Sequence, residues 1–496
     1  MLYHALRFAP VTLLALALGS LFGCAPTQAA TACSDCNVLW ITVDTLRFDR
    51  VGAYGFREGL TPAIDRLAAR GVTVKQAVPS GPMTILSVPA YLSSRHRFNT
   101  GMTFDLAGTN YVRLPGAVTT LAEALHDAGR STAAILSNPV LGYAKTQGSD
   151  SIDHDPFNLS QGFDSWRYKD DPWVEKDAIA TLGDPKLKAA GAKPFFLYVH
   201  FMGPHDPNGE IEGFESRRGK FNSTLRKPSG VDFPYYLTVR DGKVKPTIDD
   251  ILYVQALYDD AVWEVDGRVG RVLAALDAAG LSAKTEVVLV SDHGEALGEV
   301  QDGHPWFGHG QNLRSELIHV PLIMAGPGIA PGTYDRSDVV ELVDVAPTLL
   351  GLLGIAPKSE WQWDGQAFLG PTAKHGTAAL TEHDMGKNTF GAIESDTLRI
   401  VVSPKNPNFI QRFNWLDDPL HTTPLAASEA TEALLRLRRE SWSLAHPPPG
   451  ESISRDDALG VEEQCQMILL GYLDPSTMTD SQKAALKKAG CTAGGL

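Results

Sequence analysis

Residues 37–44, NVLWITVD, and residues 285–292, TEVVLVSD, read alike: an apolar run of strand length closed by a carboxylate. Neither run alternates polar with apolar, so each needs cover on both faces, as strands inside an α/β sheet do. Working outward, similar runs recur as KPFFLYVHF (193–201) and HVPLIMAG (319–326). Between them lie helical periods: TPAIDRLAARG (61–71), the start of TTLAEALHDAGRSTAAILSN (119–138), EVDGRVGRVLAALDAAG (264–280) and VVELVDVAPTLLGLLGI (339–355). Strand-like and helical segments in alternation predict an α/β sheet covered on both faces, with polar residues at strand ends as the place for a ligand.

The chain has 496 residues, 43% of them hydrophobic, enough for one large domain and a smaller one. Its net charge of −14 is spread along the sequence, and no run of Lys or Arg matches a row of phosphates, which argues against nucleic acid as a partner. Polar, Gly- and Pro-rich stretches at about 150–193 and 208–246 read as long loops or insertions over the active edge of the sheet. Past Pro357 the pattern shifts: TAALTEH (377–383), TFGAIESDTLRIVVSP (389–404) and ATEALLRLRRESWSL (430–444) predict a small antiparallel sheet with helices, a C-terminal α+β subdomain over 358–496.

At the N-terminus, Arg7 precedes FAPVTLLALALGSLFG (8–23), an apolar core short for a membrane span and read as an export signal over 1–23. LFGC (21–24) resembles a bacterial lipobox, which implies lipidation of Cys24, a periplasmic or cell-envelope lipoprotein, and membrane contact through that anchor only. Cleavage after Ala29 or Ala30 is the alternative. Besides Cys24, the cysteines are Cys33, Cys36, Cys465 and Cys491, an even number for an oxidising compartment, with three pairings open. The Cys33-x-x-Cys36 spacing also fits a redox or half-zinc motif, but no second such pair follows it, and disulfides are the preferred reading.

The chemistry collects at strand ends. Asp44 closes the first run; Asp292 and His293 close another, followed by Gly294 for a close turn, so two strand tips offer metal ligands. GPMTILSVPAYL (81–92) supplies Thr84 and Ser87. A threonine hydroxyl becomes a useful nucleophile only beside a cation or base, and a metal at Asp44, Asp292 and His293 would provide one. Ser87 reads as the cap of the following helix, with Pro89 in the first turn. His205 sits past Gly203 and Pro204, where a general acid can reach a leaving oxygen, whereas His200 lies within the strand and reads as a core histidine. His304 and His309 share one loop, Asn138 before Pro139 reads as a turn former or a substrate contact, and Asp266 as an ion-paired helix residue.

Five segments, NVLWITVDTLRFDRVGAYG (37–55), TPAIDRLAARGV (61–72), PFFLYVHFMGPHDP (194–207), TEVVLVSDHGEALGE (285–299) and DVAPTLLGLLGI (344–355), resemble the sulfatase family of the alkaline phosphatase superfamily in order and spacing. The likeness covers about 37–357, with a weaker echo in FNWLDDPLHTTPLAA (413–427). It implies an alkaline-phosphatase-like α/β/α sandwich with a large mixed sheet. It also implies metal ligation by Asp44, Asp292 and His293, contact of His205 with the ester and leaving group, and a place for His309 where many sulfatases hold the ester with Lys. One acidic ligand of many members is Thr45 here, and ILSNP (135–139) stands where many carry Gly-Lys-Trp-His.

Where sulfatases carry Cys-x-Pro-x-Arg, the alignment through Leu92 sets Thr84 in the place of the Cys, Leu86 in that of the Pro and Val88 in that of the Arg. Asp44, Thr84, Asp292 and His293 thus resemble the set of superfamily branches that use an unmodified Thr, with Thr84 also a metal ligand. The expected activity is metal-dependent hydrolysis of sulfate or phosphate esters through a covalent Thr84 intermediate, on an anionic small molecule, glycan or lipid headgroup. One divalent ion is expected, Mn2+, Zn2+ or Ca2+; a nitrogen ligand suits the first two better. The alternatives are a phosphodiesterase or phosphotransferase acting on headgroups, and a lipid-anchored binding protein without activity.

Overall fold

A computed structural model describes most of residues 32–205 and 243–414, Val239, a few positions between 461 and 468, and residues 478–491. The export signal, Cys24, most of the 208–246 stretch and the 430–444 segment lie outside the described residues.

A nine-stranded mixed sheet runs β10 (Gly332–Tyr334), β2 (Val72–Val78), β9 (Val320–Ala325), β6 (Thr285–Val290), β1 (Asn37–Val43), β5 (Phe195–Phe201), β3 (Ser131–Leu136), β4 (Ser165–Tyr168), with β11 (Val340–Glu341) pairing on β2. β1 is parallel to both β5 and β6, β3 is parallel to β5 and β4, and β9 is antiparallel to β6 and β2. Every residue of β1 is buried. Val38 and Trp40 feed one core, and Leu39, Ile41 and Val43 feed the other. That is the physical basis of the unalternating apolar run.

The long helix Ile248–Ala278 covers one face through Val254, Val265, Val269, Val272 and Leu276. On the other lie α2 (Thr84–Ser93) and the helices Leu121–Asp127 and Val345–Leu352. The result is the expected α/β/α sandwich, and a separate antiparallel sheet, β12–β13–β14–β15 (Ala378–Asn414), follows it.

Two expectations change and one open reading, the disulfide pairing, is settled. The 150–193 stretch is not a long loop: it contains β4 and the helix Asp171–Leu182. Asp171 accepts from the amides of Met202 (2.8 Å) and Gly203 (2.9 Å), so this helix braces the tip of β5. Asp266 forms no ion pair among the described residues; it accepts from the amides of Ala63 and Ile64 and caps the first turn of α1 (Pro62–Ala69), its carboxyl pushed up to about 6 chiefly by burial. The cysteines pair locally, Cys33 with Cys36 and Cys465 with Cys491.

At the end of the sheet away from the ligand edge, Glu286 is buried in β6, and neither of its carboxyl oxygens has a hydrogen-bond partner among the described residues. A Cβ on Gly326 would overlap Glu286 Oε2, so only glycine fits there. Burial pushes this carboxyl up to about 8. A folded-state value above the unfolded one means that the stabilising neutral form is fully present below the unfolded range, and that its contribution is lost as pH rises through about 8. Wild-type stability in urea should therefore fall between about pH 5 and 8 with a limiting slope of about 1.4 kcal/mol per pH unit from this group. Glu286→Gln should remove that component; an identical slope in the variant would contradict it.

Candidate active site

The parallel strands β1, β3, β5 and β6 end at one edge, and the expected site residues follow them: Asp44 after β1, Asn138 after β3, His205 after β5, Asp292 and His293 after β6. Asp44, Thr84, Asp292 and His293 are all fully buried.

Asp44 Oδ2 is the hub. It accepts from Asn138 Nδ2 at 2.6 Å, His200 Nε2 at 3.0 Å and Thr84 Oγ1 at 3.4 Å. Thr84 Oγ1 also lies 3.2 Å from His293 Nε2 and 3.3 Å from Asn138 Nδ2. His293 Nδ1 faces the Gly294 carbonyl at 3.0 Å; a carbonyl only accepts, so Nδ1 carries the proton and Nε2 turns its lone pair toward the Thr84 hydroxyl. Burial, helped by the nearby His309, holds His293 down at about 4 against the pull of Asp292 and Asp44, so this imidazole is neutral at pH 7. Burial also raises Asp44, but the His200 hydrogen bond and the facing imidazoles outweigh it and hold that carboxyl below its usual range. Asp292, raised by burial and by the charge of Asp44, is the weaker acid of the two.

Asp292 Oδ1 accepts from the amides of His293 (3.0 Å) and Thr45 (3.3 Å). Thr45 holds φ at +53°, an outlier for a β-branched residue, and its carbonyl accepts from Tyr258 Oη at 2.7 Å. A Cβ on Gly294 would overlap the Glu316 carbonyl oxygen, so the turn after His293 admits only glycine.

These residues fit a divalent cation. Asp44, His200 and Asp292 present ligand atoms within 4.8 Å of one another, a buried Asp/His/Asp grouping consistent with a metal. Asp44 Oδ1 and Asp292 Oδ2 have no hydrogen-bond partner among the described residues, and His293 Nε2 lies 3.7 Å and 3.5 Å from them. Two buried carboxylates facing each other are costly without a positive charge between them.

His205 is buried, its backbone turned by a bond from its amide to the Met202 carbonyl at 3.0 Å, and its ring meets His309 edge to face at 4.7 Å. His309 lies 4.5 Å from the His293 ring, and its Nδ1 faces Glu295 at 3.1 Å. His304, at the start of β8 (His304–Gly308), is exposed. The loop thus turns His309 inward with His205 and leaves His304 out.

Ser87 is not the helix cap. α2 begins at Thr84 after Met83, whose carbonyl takes the amides of both Leu86 and Ser87 at 3.0 Å, and Ser87 Oγ is buried without a partner among the described residues. The helix starts four residues early, with Met83 in the cap position instead of Ser87, so Thr84 occupies its first position and Pro89 its second turn. His200 is buried as expected, yet its ring bonds Asp44 instead of closing on the core alone. Asn138 is the expected turn former, its Oδ1 accepting from Val140 N at 2.8 Å, and its Nδ2 holds Asp44, a role the sequence did not suggest. The available signal for His200 was a lone imidazole at the end of an otherwise apolar, doubly buried strand.

Arylsulfatase K of Xenopus laevis is 31% identical over 201 residues, 37% of this chain and 36% of that protein, so the chain spans about a third of that relative. The multifunctional alkaline phosphatase superfamily protein PehA of Trinickia caryophylli is 24% identical over 500 residues, covering 83% of this chain and 95% of that one. The solved phosphonate monoester hydrolase of Agrobacterium radiobacter shares the fold with a TM-score of 0.59 and 18% identity, over 83% of this chain and 96% of that one. Residues 36–355 match the family model Sulfatase, and the chain belongs to the sulfatase family.

Proposed function

We propose that the chain hydrolyses sulfate or phosphate esters with Thr84 as the nucleophile. The observation that carries this is the Thr84 hydroxyl, buried and donating to Asp44 Oδ2 at 3.4 Å, with His293 Nε2 3.2 Å away. Asp44, Asp292 and His293 would hold the divalent ion, which when bound supplies positive charge to lower the hydroxyl's pKa and to offset the ester's oxyanion. Thr84 Oγ1 gives its proton to Asp44 Oδ2 and forms a bond to sulfur or phosphorus as the bond to the leaving oxygen breaks, and His205 supplies that oxygen's proton. Water then releases the inorganic anion from Thr84.

α2 adds a second attraction. Its first amides lack intrahelical partners and its dipole is positive at Thr84, which favours an anion there. Glu295 beneath His309 faces its Nδ1, so that nitrogen carries the proton. The names of the relatives, an arylsulfatase and a multifunctional superfamily member, support a sulfate ester first and a phosphorus ester second.

The test is a panel of chromogenic sulfate, phosphate monoester, phosphodiester and phosphonate substrates on protein supplied with Mn2+, Zn2+ or Ca2+. Turnover of a sulfate or a phosphate ester that chelator abolishes is the expected result. No turnover across the panel with any of the three ions would overturn the proposal.

A further inference from the structure

A file of six buried side chains ends on Asp44. Trp40 Nε1 donates to Thr42 Oγ1 at 3.1 Å, Thr42 Oγ1 meets Tyr91 Oη at 3.2 Å, and Tyr91 Oη meets Tyr198 Oη at 2.7 Å. Tyr198 Oη then meets His200 Nδ1 at 2.9 Å, and His200 Nε2 meets Asp44 Oδ2 at 3.0 Å. All six are 0% exposed. Strand alternation builds the file: Trp40 and Thr42 on β1 and Tyr198 and His200 on β5 point to one face, and α2 lowers Tyr91 onto them.

The two ends fix its polarity. An indole N–H only donates and a carboxylate only accepts. One arrangement then satisfies every member: Thr42 donates to Tyr91, Tyr91 to Tyr198, Tyr198 to His200 Nδ1, and His200 Nε2–H to Asp44. Burial pushes both phenols up, so each keeps its O–H. The ordered file therefore spends His200's second nitrogen on Asp44 Oδ2, an oxygen that Asn138 already bonds, and leaves Oδ1 turned toward Asp292 and His293.

We infer that His200 is a positioning residue: its ring lies in the buried Asp/His/Asp group, but the bonds at both of its nitrogens leave no lone pair for the cation, so it clamps one oxygen of Asp44 and presents the other, and Tyr198 positions His200 in turn. This rests on the cation of the proposed function. Partners one bond removed from a ligand set its orientation and basicity, and their loss costs about 10–100-fold in metal affinity.

Mn2+ affinity of the full chain, measured by chelator competition, tests it together with thermal melting. Tyr198→Phe keeps the ring against Trp40 and Phe163 and is expected to bind one equivalent of Mn2+ about 10–100-fold more weakly. His200→Gln retains an N–H for Asp44 and an acceptor for Tyr198, and should bind more tightly than His200→Ala at the same stoichiometry. Wild-type affinity in Tyr198→Phe, or a melting-temperature loss with unchanged affinity, would overturn the inference alone. Equal affinities in His200→Gln and His200→Ala would do the same. Failure of the wild type to take up Mn2+ would instead sink the cation reading beneath it.

Discussion

Thr84→Ala should lose turnover on whichever ester the protein accepts by about 10^4-fold or more, the scale seen when a covalent nucleophile is removed from a site that otherwise stays assembled. The substitution deletes one hydroxyl and one methyl at the first position of a helix, where alanine is well tolerated. It leaves Asp44 with its bonds from Asn138 and His200, so divalent-ion affinity should change little by comparison. Thr84→Ser restores the hydroxyl and should recover part of the rate. Intact-mass spectrometry after an acid quench should find the esterified residue in wild type and not in the alanine variant. Equal kcat/KM for wild type and Thr84→Ala would remove Thr84 from the chemistry.

Arg47→Ala should destabilise the fold by about 3–5 kcal/mol, the cost of breaking a buried ion pair from one side. The Arg47 side chain is 1% exposed and serves three acceptors: Asp49 at 2.7 and 2.8 Å, Glu299 at 2.6 Å and the Glu295 carbonyl at 2.8 Å. Burial alone would make this guanidinium easier to deprotonate; the charges of Asp49 and Glu299 reverse that and hold it firmly cationic. Asp49 is raised by burial but held below its ordinary range by Arg47, while Glu316 nearby is already pushed up by burial. Without Arg47, the carboxylates of Asp49 and Glu299 lose the buried counter-charge they share.

The expected loss in urea unfolding at pH 7 should be insensitive to salt, because buried charges are little screened. It should shrink as pH falls and Asp49 takes up a proton. A change below about 1 kcal/mol, the value of an exposed pair, would show that the network is wet. Because Arg47 ties the loop after Asp44 to the β7 (Ala296–Gln301) and β8 hairpin below His309, residual folded variant should also lose activity.

How much of this could be read from the chain depends on what each residue reports. The strands β1, β5, β6 and β9 were legible because burial on both faces writes itself as an unbroken apolar run. β2 was not, because VTVKQAV mixes Lys75 and Gln76 into a short segment. The long helix was recognised only from residue 264, although Thr247 and Asp250 form the capping box that starts it at Ile248. At the site, Asp44, Asp292 and His293 stood out as polar groups where apolar runs stop. His200 and Asn138 did not, because their meeting with Asp44 depends on strand order and register: β5 lies between β1 and β3, with His200 level with both Thr42 and Leu136. Ser87 misled because a serine before a proline-containing helix resembles a cap, and the earlier start at Met83 is set by backbone geometry that composition does not record.

β1 sends successive side chains into opposite cores, and this constrains how the protein can vary. Losing or gaining a single residue between Asn37 and Val43 would swap the two sets, pressing Trp40 into slots shaped for leucine and isoleucine and turning the following carboxylate half a revolution from its partners. Point substitutions can be absorbed by neighbours that relax a little, but a change of length cannot. For this enzyme family member, spacing along one central strand is as strict an inheritance as the identity of the groups that strand delivers.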